Sequence, residues 1–210
     1  MSLLLDSVTV SITGRPLFQP VSLKVEPGQV TTLTGPSGSG KSSLLAFVCG
    51  TLPSGLRGSG QIRIGAADVT RLAPDRRRIG ILFQDDLLFP HLSVAGNLGF
   101  GLKPGPHRAA QIGQALAEAE LPGLGARDPA TLSGGQRARI SLMRMLLSEP
   151  LALLLDEPFG RLDAALRDRF RRFVFDHATA RGLPVLLVTH DPADAAAAAG
   201  PIVRLEPAQR

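Results

Sequence analysis

The residues able to do chemistry fall into three groups, and the first is the run Gly35-Pro36-Ser37-Gly38-Ser39-Gly40-Lys41-Ser42, with Ser43 next to it. Gly35, Gly38 and Gly40 accept backbone turns that a Cβ resists, so successive N–H groups can converge on phosphate oxygens. A helix starting there adds partial positive charge at its N-terminus. Lys41 would place a point charge on the outer phosphates of a nucleoside triphosphate, and the Ser42 hydroxyl would ligate Mg²⁺. The second group is Asp156-Glu157, closing the apolar run Leu151-Ala152-Leu153-Leu154-Leu155. Asp156 can hold Mg²⁺ through water, and Glu157 can orient or deprotonate an attacking water. Gln84, after Phe83, could bridge the metal and that water. His190, after Val185–Thr189, could donate to the terminal phosphate. The third group is Ser133-Gly134-Gly135-Gln136, at the head of a long amphipathic stretch. It reads as a second anion-binding helix terminus, built without a lysine. One loop with a lysine and one helix tip without make two half-sites. They are best explained if two chains meet head to tail, each closing the other's nucleotide site.

The elements that must position these groups alternate between strand and helix. Val30–Thr34 reads as a buried strand and Leu44–Val48 as the helix after the glycine-rich loop; strand, loop, helix is the context such a loop requires. Residues 3–13 and Val21–Val25 alternate apolar with polar and read as strands, with Gly14-Arg15-Pro16 as a turn. Gly50 to Gly60 is rich in Gly, Pro and Ser and reads as loop, followed by a strand at Gln61–Ile64. Ile79–Phe83, Leu151–Leu155 and Val185–Val188 are continuous apolar runs, as expected of buried parallel strands. Between residues 85 and 106 the prolines and glycines allow only short helices, 108–120 is helical, and Leu121–Thr131 is loop. A long helix starts at Gly134 with Ser133 as its N-cap and ends at Pro150. Asp163–Ala180 and Pro192–Ala199 complete the helices, and Ile202–Leu205 is a last strand. This order gives an α/β fold with a mostly parallel sheet, its functional residues at the C-terminal ends of strands.

Composition is that of a globular chain: 210 residues, 44% hydrophobic and 20% charged. The single cysteine, Cys49, excludes an internal disulfide and reads as a buried thiol in a reducing compartment. No stretch resembles a signal peptide, and no apolar run is long enough to span a bilayer. The net charge is +5, with arginines clustered at Arg76-Arg77-Arg78 and between Arg167 and Arg172. Without Trp or Tyr to interleave, these clusters read as solvated helix faces rather than a nucleic-acid surface.

The ordered set GPSGSGKS (35–42), Gln84, LSGGQ (132–136), LALLLDEP (151–158), FGRLD ending at Asp163, and His190 resembles the nucleotide-binding subunit of ATP-binding cassette (ABC) transporters, over essentially the whole chain. The resemblance implies a P-loop NTPase fold in one domain. A mostly parallel RecA-like core and an N-terminal antiparallel β subdomain would occupy about 1–90 and 150–210, and an inserted α-helical subdomain about 91–149. It implies ATP and Mg²⁺ as cofactors, ATP hydrolysis, and a dimer that sandwiches two nucleotides. Ser133 and Gly135, with Gly134 and Gln136, would reach the γ-phosphate held by the other chain. Glu157 would be the catalytic base, His190 the γ-phosphate sensor, and Asp163 a contact across the dimer.

The stretch Phe83 to Val94 followed by Asn97, together with Pro158-Phe159, is similar to importers of molybdate, sulfate, iron, polyamines, thiamine or maltose. In those relatives the segment after Gln84 receives a helix of the membrane subunit; Leu87, Leu88, Phe89 and Leu92 fit such a groove, or equally the subdomain's own core. The implied partners are a second nucleotide-binding subunit (identical or a close paralogue), integral membrane permease subunits and, through the complex, a substrate-binding protein, with no nucleic acid. The implied location is peripheral, on the cytoplasmic face of the cell membrane. Two departures stand out. Ile12 falls where the family has an aromatic to stack on adenine, which would forfeit about 1 kcal/mol. The chain also stops after its last strand, so a C-terminal regulatory domain is expected to be absent. An exporter or lipid-transport ATPase is the alternative. A nucleic-acid-associated relative is disfavoured, because the roughly ninety residues between Lys41 and Ser133 leave no room for a long coiled coil.

Overall fold

The structure is a computed structural model and describes residues 1–208. The chain runs β1 (Leu3–Ile12), β2 (Arg15–Pro16), β3 (Val21–Val25), β4 (Val30–Thr34), α1 (Lys41–Cys49), β5 (Leu56–Ile64), β6 (Ala67–Asp68), α2 (Pro74–Arg77), β7 (Ile79–Phe83), α3 (Val94–Gly99), α4 (Arg108–Glu118), a 3₁₀ turn (Pro129–Thr131), α5 (Gly134–Leu146), β8 (Ala152–Asp156), α6 (Ala164–Ala180), β9 (Val185–Val188), α7 (Pro192–Ala198) and β10 (Ile202–Arg204). Its residues group into two compact units. One comprises Met1–Ile81, Leu151–Glu157 and Phe175 onward; the other comprises Leu82–Pro150 and Pro158–Val174. The helices expected at about 91–149 fall in the second unit, which also takes in the start of α6.

The first unit carries two sheets. In one, β1 lies between β2, β3 and β5 in antiparallel pairing, with β6 beyond β5. In the other the order is β10-β4-β9-β8-β7, and β10, β4, β9 and β8 pair in parallel. The reasons lie in the sequence. All of β9 and all but the last residue of β4 and β8 are buried, because parallel strands are covered on both faces. β3 alternates buried and exposed, as a strand packed on one face does. Leu33, Leu44, Leu45, Leu154 and Leu186 share one apolar core with Leu3, Leu5 and Ile62, so the faces of the two sheets close over the helix α1. This is the α/β P-loop fold, with an antiparallel β subdomain beside the parallel core.

Two local expectations are corrected. The segment Gly50–Gly60 is not all loop: β5 begins at Leu56 and pairs with β1 from Leu56↔Ile12 onward. Its glycines permit a close approach. A Cβ on Gly58 would lie 2.1 Å from the Phe47 ring, and one on Gly60 (φ +96°) would lie 2.5 Å from the Ser7 carbonyl oxygen. Ser7 itself has φ 51°, where the β1–β5 register shifts, so the pair forms a bulge. Second, the turn at 14–16 is tighter than expected. Thr13 (φ 48°) and Gly14 (φ 80°) form its tip, and Arg15 and Pro16 already pair back onto Ile12 and Ser11.

The second unit is helical. α5 is entered through a complete capping box: Ser133 Oγ accepts from the Gln136 N–H at 3.3 Å, and Gln136 Oε1 accepts from the Ser133 N–H at 2.9 Å. Asn97 in α3 is fully buried and ties down the preceding loop, accepting from the Phe89 N–H and donating to the carbonyls of Phe89, Leu92 and Ser93. Arg144 of α5 donates to the Leu87 carbonyl at 2.9 Å and lies over the Phe89 ring at 4.9 Å.

Candidate functional site

A cleft of about 560 Å³ opens over the C-terminal end of β4, lined by Leu17, Gly35, Ser37, Gly38, Gly40, Lys41, Ser42, Ser43, Glu157 and His190. That volume suits a small-molecule ligand. Its floor follows from the glycines. Gly38 has φ 75° and Gly40 φ 92°, both left-handed, and a Cβ on Gly40 would meet the buried Phe18 ring at 2.8 Å. No other residue type can place α1's first turn so close to the chain. Lys41 is nearly buried, and its Nζ donates to the carbonyls of Gly35 at 2.9 Å and Pro36 at 2.8 Å. The ammonium is thus held at the loop's mouth by neutral acceptors, which a phosphate oxygen would displace. Ser39 is buried, and its N–H donates to the Pro36 carbonyl, closing the loop.

Ser42 Oγ donates to Asp156 Oδ1 at 3.3 Å, so the end of β8 meets the start of α1. Burial raises the Asp156 carboxyl above the usual carboxylate range; the Ser42 bond and Lys41 oppose that, and neighbouring Glu157 adds to it. Two oxygen donors this close, with one carboxylate between them, fit Mg²⁺, which keeps several waters and takes few protein ligands. Among the described residues no group of three or more His, Cys, Asp or Glu is placed to hold a metal ion.

Glu157 follows β8 with φ 49°, a left-handed conformation that a residue with a side chain adopts at a cost. Its N–H donates to the Val188 carbonyl of the adjacent β9 at 3.0 Å. His190 stands two residues beyond β9, and its Nδ1 lies 3.1 Å from Glu157 Oε1. An acidic and an imidazole side chain therefore face each other from neighbouring strand ends, beside the phosphate loop.

Of the residues singled out in the sequence, this cleft gathers the glycine-rich loop, Glu157 and His190, with Asp156 joined through Ser42. Ile12 does not line it. Ile12 ends β1 at 46% exposure, and the apolar wall of the cleft is Leu17, which the sequence reading did not single out. Leu17 is placed by the hairpin, its N–H donating to the Val10 carbonyl.

The remaining candidates lie in the second unit. Ser133 and Gly134 are exposed at the tip of α5, while Gly135 is buried, a Cβ there meeting Leu166 at 3.3 Å. Asp163 precedes α6, its Oδ1 accepting from the Leu166 N–H at 3.0 Å in the manner of a helix cap. Gln84 follows β7 and is exposed, lining a pocket of about 220 Å³ with Asp85, Asp86, Arg137 and Arg161. In that pocket Asp86 pairs with Arg137 at 2.7 Å, and Asp85 pairs with Arg161. On the surface of the same unit Phe83, Leu87 and Phe100 are exposed apolar side chains, and Phe89 packs on Phe100. Among the described residues no helix is long and apolar enough to cross a membrane.

Comparison with known proteins agrees with this geometry. Residues 18–160 match the ABC transporter family. The uncharacterized ABC transporter ATP-binding protein YnjD of Escherichia coli K12 is 44% identical over 192 residues, which are 90% of this chain and 88% of that protein. The sulfate/thiosulfate import ATP-binding protein CysA of Gloeobacter violaceus is 42% identical over 93% of this chain. The Fe(3+) ions import ATP-binding protein FbpC of Streptomyces avermitilis is 40% identical over 97% of it. The chain spans 57% and 59% of the length of these last two. With a phosphate loop, an acidic strand end and a capped Ser-Gly-Gly-Gln helix tip, and with this family matched over residues 18–160, the chain belongs to the ABC transporter family.

Proposed function

We propose that this chain binds and hydrolyses ATP as the nucleotide-binding subunit of a bacterial importer. The observation that carries the reading is the single cleft holding Lys41, Ser42, Glu157 and His190 around a glycine-rich phosphate loop. The import names of CysA and FbpC support the direction of transport.

The N–H groups of the loop and of the first turn of α1 bind the phosphates, and Lys41 exchanges its two carbonyl acceptors for phosphate oxygens. Ser42 and Asp156 are the residues that would hold Mg²⁺; the ion, when bound, neutralises charge on the phosphates. Glu157 accepts the proton of the attacking water, and His190 holds it in place and donates to the terminal phosphate. Leu17 gives the base an aliphatic contact in place of an aromatic stack. The exposed tip Ser133-Gly134 and the Gly135 backbone complete the site of a second copy or a close paralogue, with Gln136 capping them and Asp163 contributing to the dimer contact. Exposed Phe83, Leu87 and Phe100 form the face that a permease subunit covers, which holds the protein peripherally at the cytoplasmic side of the membrane. A substrate-binding protein completes the system, and nucleic acid has no part in it.

Glu157→Gln tests this directly. The variant should bind ATP, dimerise with it, and lose hydrolysis by about a hundredfold or more, in line with removal of a general base. Turnover at the wild-type rate would remove Glu157 from the role. For the wild-type chain, ATPase activity should rise more steeply than linearly with protein concentration, and a strictly linear response would count against shared sites.

A further inference from the structure

Resting on the role proposed above for His190, we infer that Thr189 and Asp194 are its positioning residues: a buried hydroxyl–carboxylate pair that fixes the turn carrying the imidazole. His190 lies in the short link between β9, which ends at Val188, and α7, which starts at Pro192. Such a link has few hydrogen bonds of its own and would let a 74% exposed side chain wander. Here the link is closed beneath the histidine. Thr189 Oγ1 donates to Asp194 Oδ2 at 2.8 Å, and the same oxygen accepts from the Asp191 N–H at 3.0 Å. Asp191 Oδ1 in turn accepts from the Ala193 N–H at 2.8 Å, capping α7. Thr189 and Asp194 are each only 3% exposed. The ring formed by these bonds runs from the end of the strand to the first turn of the helix, and His190 is its unburied apex.

A buried hydroxyl and carboxylate in a small parallel-sheet core call for a reason, since an apolar pair of the same size would serve packing as well. The reason visible in the geometry is on the other side of the pair His190–Glu157. Glu157 is held from β9 through its N–H to the Val188 carbonyl, one residue before Thr189. Both halves of the 3.1 Å contact between His190 Nδ1 and Glu157 Oε1 are therefore anchored at the same strand end. Only the side-chain torsions remain free, χ1 and χ2 of His190 and χ1 to χ3 of Glu157. A site of this kind must hold its groups closely, because a misplacement of about 1 Å can cost about a hundredfold in rate.

The test is ATP hydrolysis by the full chain carrying Thr189→Val, Asp194→Leu, the two together, Thr189→Ser, or His190→Ala. Thr189→Val and Asp194→Leu should each lower kcat about tenfold with KM for ATP within about twofold, and Thr189→Ser should restore kcat. The double variant removes the buried hydroxyl and carboxylate together but leaves the Asp191 N–H without its acceptor, so its melting temperature should fall by less than the sum of the two single losses while kcat stays low. In the His190→Ala background, Thr189→Val should have no further effect, since the histidine it positions is gone. Wild-type kcat in Thr189→Val alongside an impaired His190→Ala overturns the inference. So does a fall in kcat that tracks the loss of melting temperature across the series, or an additive effect in the His190→Ala background. Wild-type kcat in His190→Ala itself would instead remove the role of His190 on which the inference rests.

Discussion

The loss of Arg77 can be worked through bond by bond. Arg77 is 5% exposed, and its guanidinium donates to four carbonyls: Nε to Leu72 at 2.8 Å, Nη1 to Phe47 at 2.7 Å and Val48 at 2.9 Å, and Nη2 to Thr70 at 2.6 Å. Phe47 and Val48 lie in the last turn of α1, so the cation sits at the negative end of the helix whose other end is the phosphate loop. Burial pulls its pKa down, yet a guanidinium stays charged. In Arg77→Met the stem remains and the four bonds go. At about 1.5–3 kcal/mol for each bond to a charged group, a naive sum is about 6–12 kcal/mol. Three corrections reduce it. The Phe47 carbonyl still receives the Gly50 N–H at 3.1 Å, the Thr70 and Leu72 carbonyls lie on partly exposed residues and can rehydrate, and the buried cation no longer carries its desolvation cost. About 3 kcal/mol remains, a large share of a domain's stability, equivalent to a melting temperature lower by about 6–12 °C for a chain of this size. Arg77→Lys should recover little, because one ammonium cannot reach acceptors spread over a planar fork. Urea denaturation followed by far-ultraviolet circular dichroism measures it. An Arg77→Met unfolding free energy within about 0.5 kcal/mol of wild type would show that the four bonds contribute nothing net over hydration, and the reasoning would fail.

Two further changes probe the first unit. Gly58→Ala puts a Cβ 2.1 Å from Phe47 Cδ2, so the ring must leave its place on α1; the expected loss is about 1–3 kcal/mol in urea denaturation, most of it recovered in a Gly58→Ala/Phe47→Leu double variant. Asp68 accepts from the Thr70 hydroxyl and N–H and from Gln61, which together hold its carboxyl down at about 2. The folded state thus keeps the carboxylate ionised to lower pH than the unfolded chain does, a contribution present above the ordinary carboxylate pKa and lost as pH falls towards about 2. A difference in urea midpoint between wild type and Asp68→Asn at neutral pH should close over that interval, and a difference that widens on acidification would contradict the assignment.

What the sequence made legible follows from how local each signal is. β4, β8 and β9 announce themselves as apolar runs because a strand covered on both faces needs nothing else. The start of α5 is written in four consecutive residues of a capping box, and the phosphate loop in eight. The missed features depend on contacts distant in sequence. The first part of β5, Leu56 to Gly60, reads as loop because Gly58 and Gly60 are taken locally as flexible, whereas here they are narrow enough to pass Phe47 and the Ser7 bulge. Leu17 lines the cleft because the turn is closed by Thr13 and Gly14, which brings the returning segment back beside the phosphate loop.

The arginines show the same limit in charge. Read along the chain, Arg76-Arg77-Arg78 and Arg167 to Arg172 are solvated basic faces, and Arg76 and Arg172 are indeed exposed. Yet Arg77 and Arg171 are buried, Arg171 paired with Asp168, and Arg137, Arg139 and Arg144 of α5 each tie that helix to another segment through Asp86, Glu120 and the Leu87 carbonyl. A planar fork with five donors can satisfy several acceptors at once, whereas an ammonium on a flexible stem meets them one at a time. A fold that fastens its loops through backbone carbonyls therefore selects arginine for the interior positions. It keeps lysine at position 41, where a compact charge must let go of two carbonyls and take hold of a phosphate. On this account the net charge of +5 reflects internal fastening as well as surface charge, so Arg137→Lys should loosen the Asp86 loop while leaving that charge unchanged.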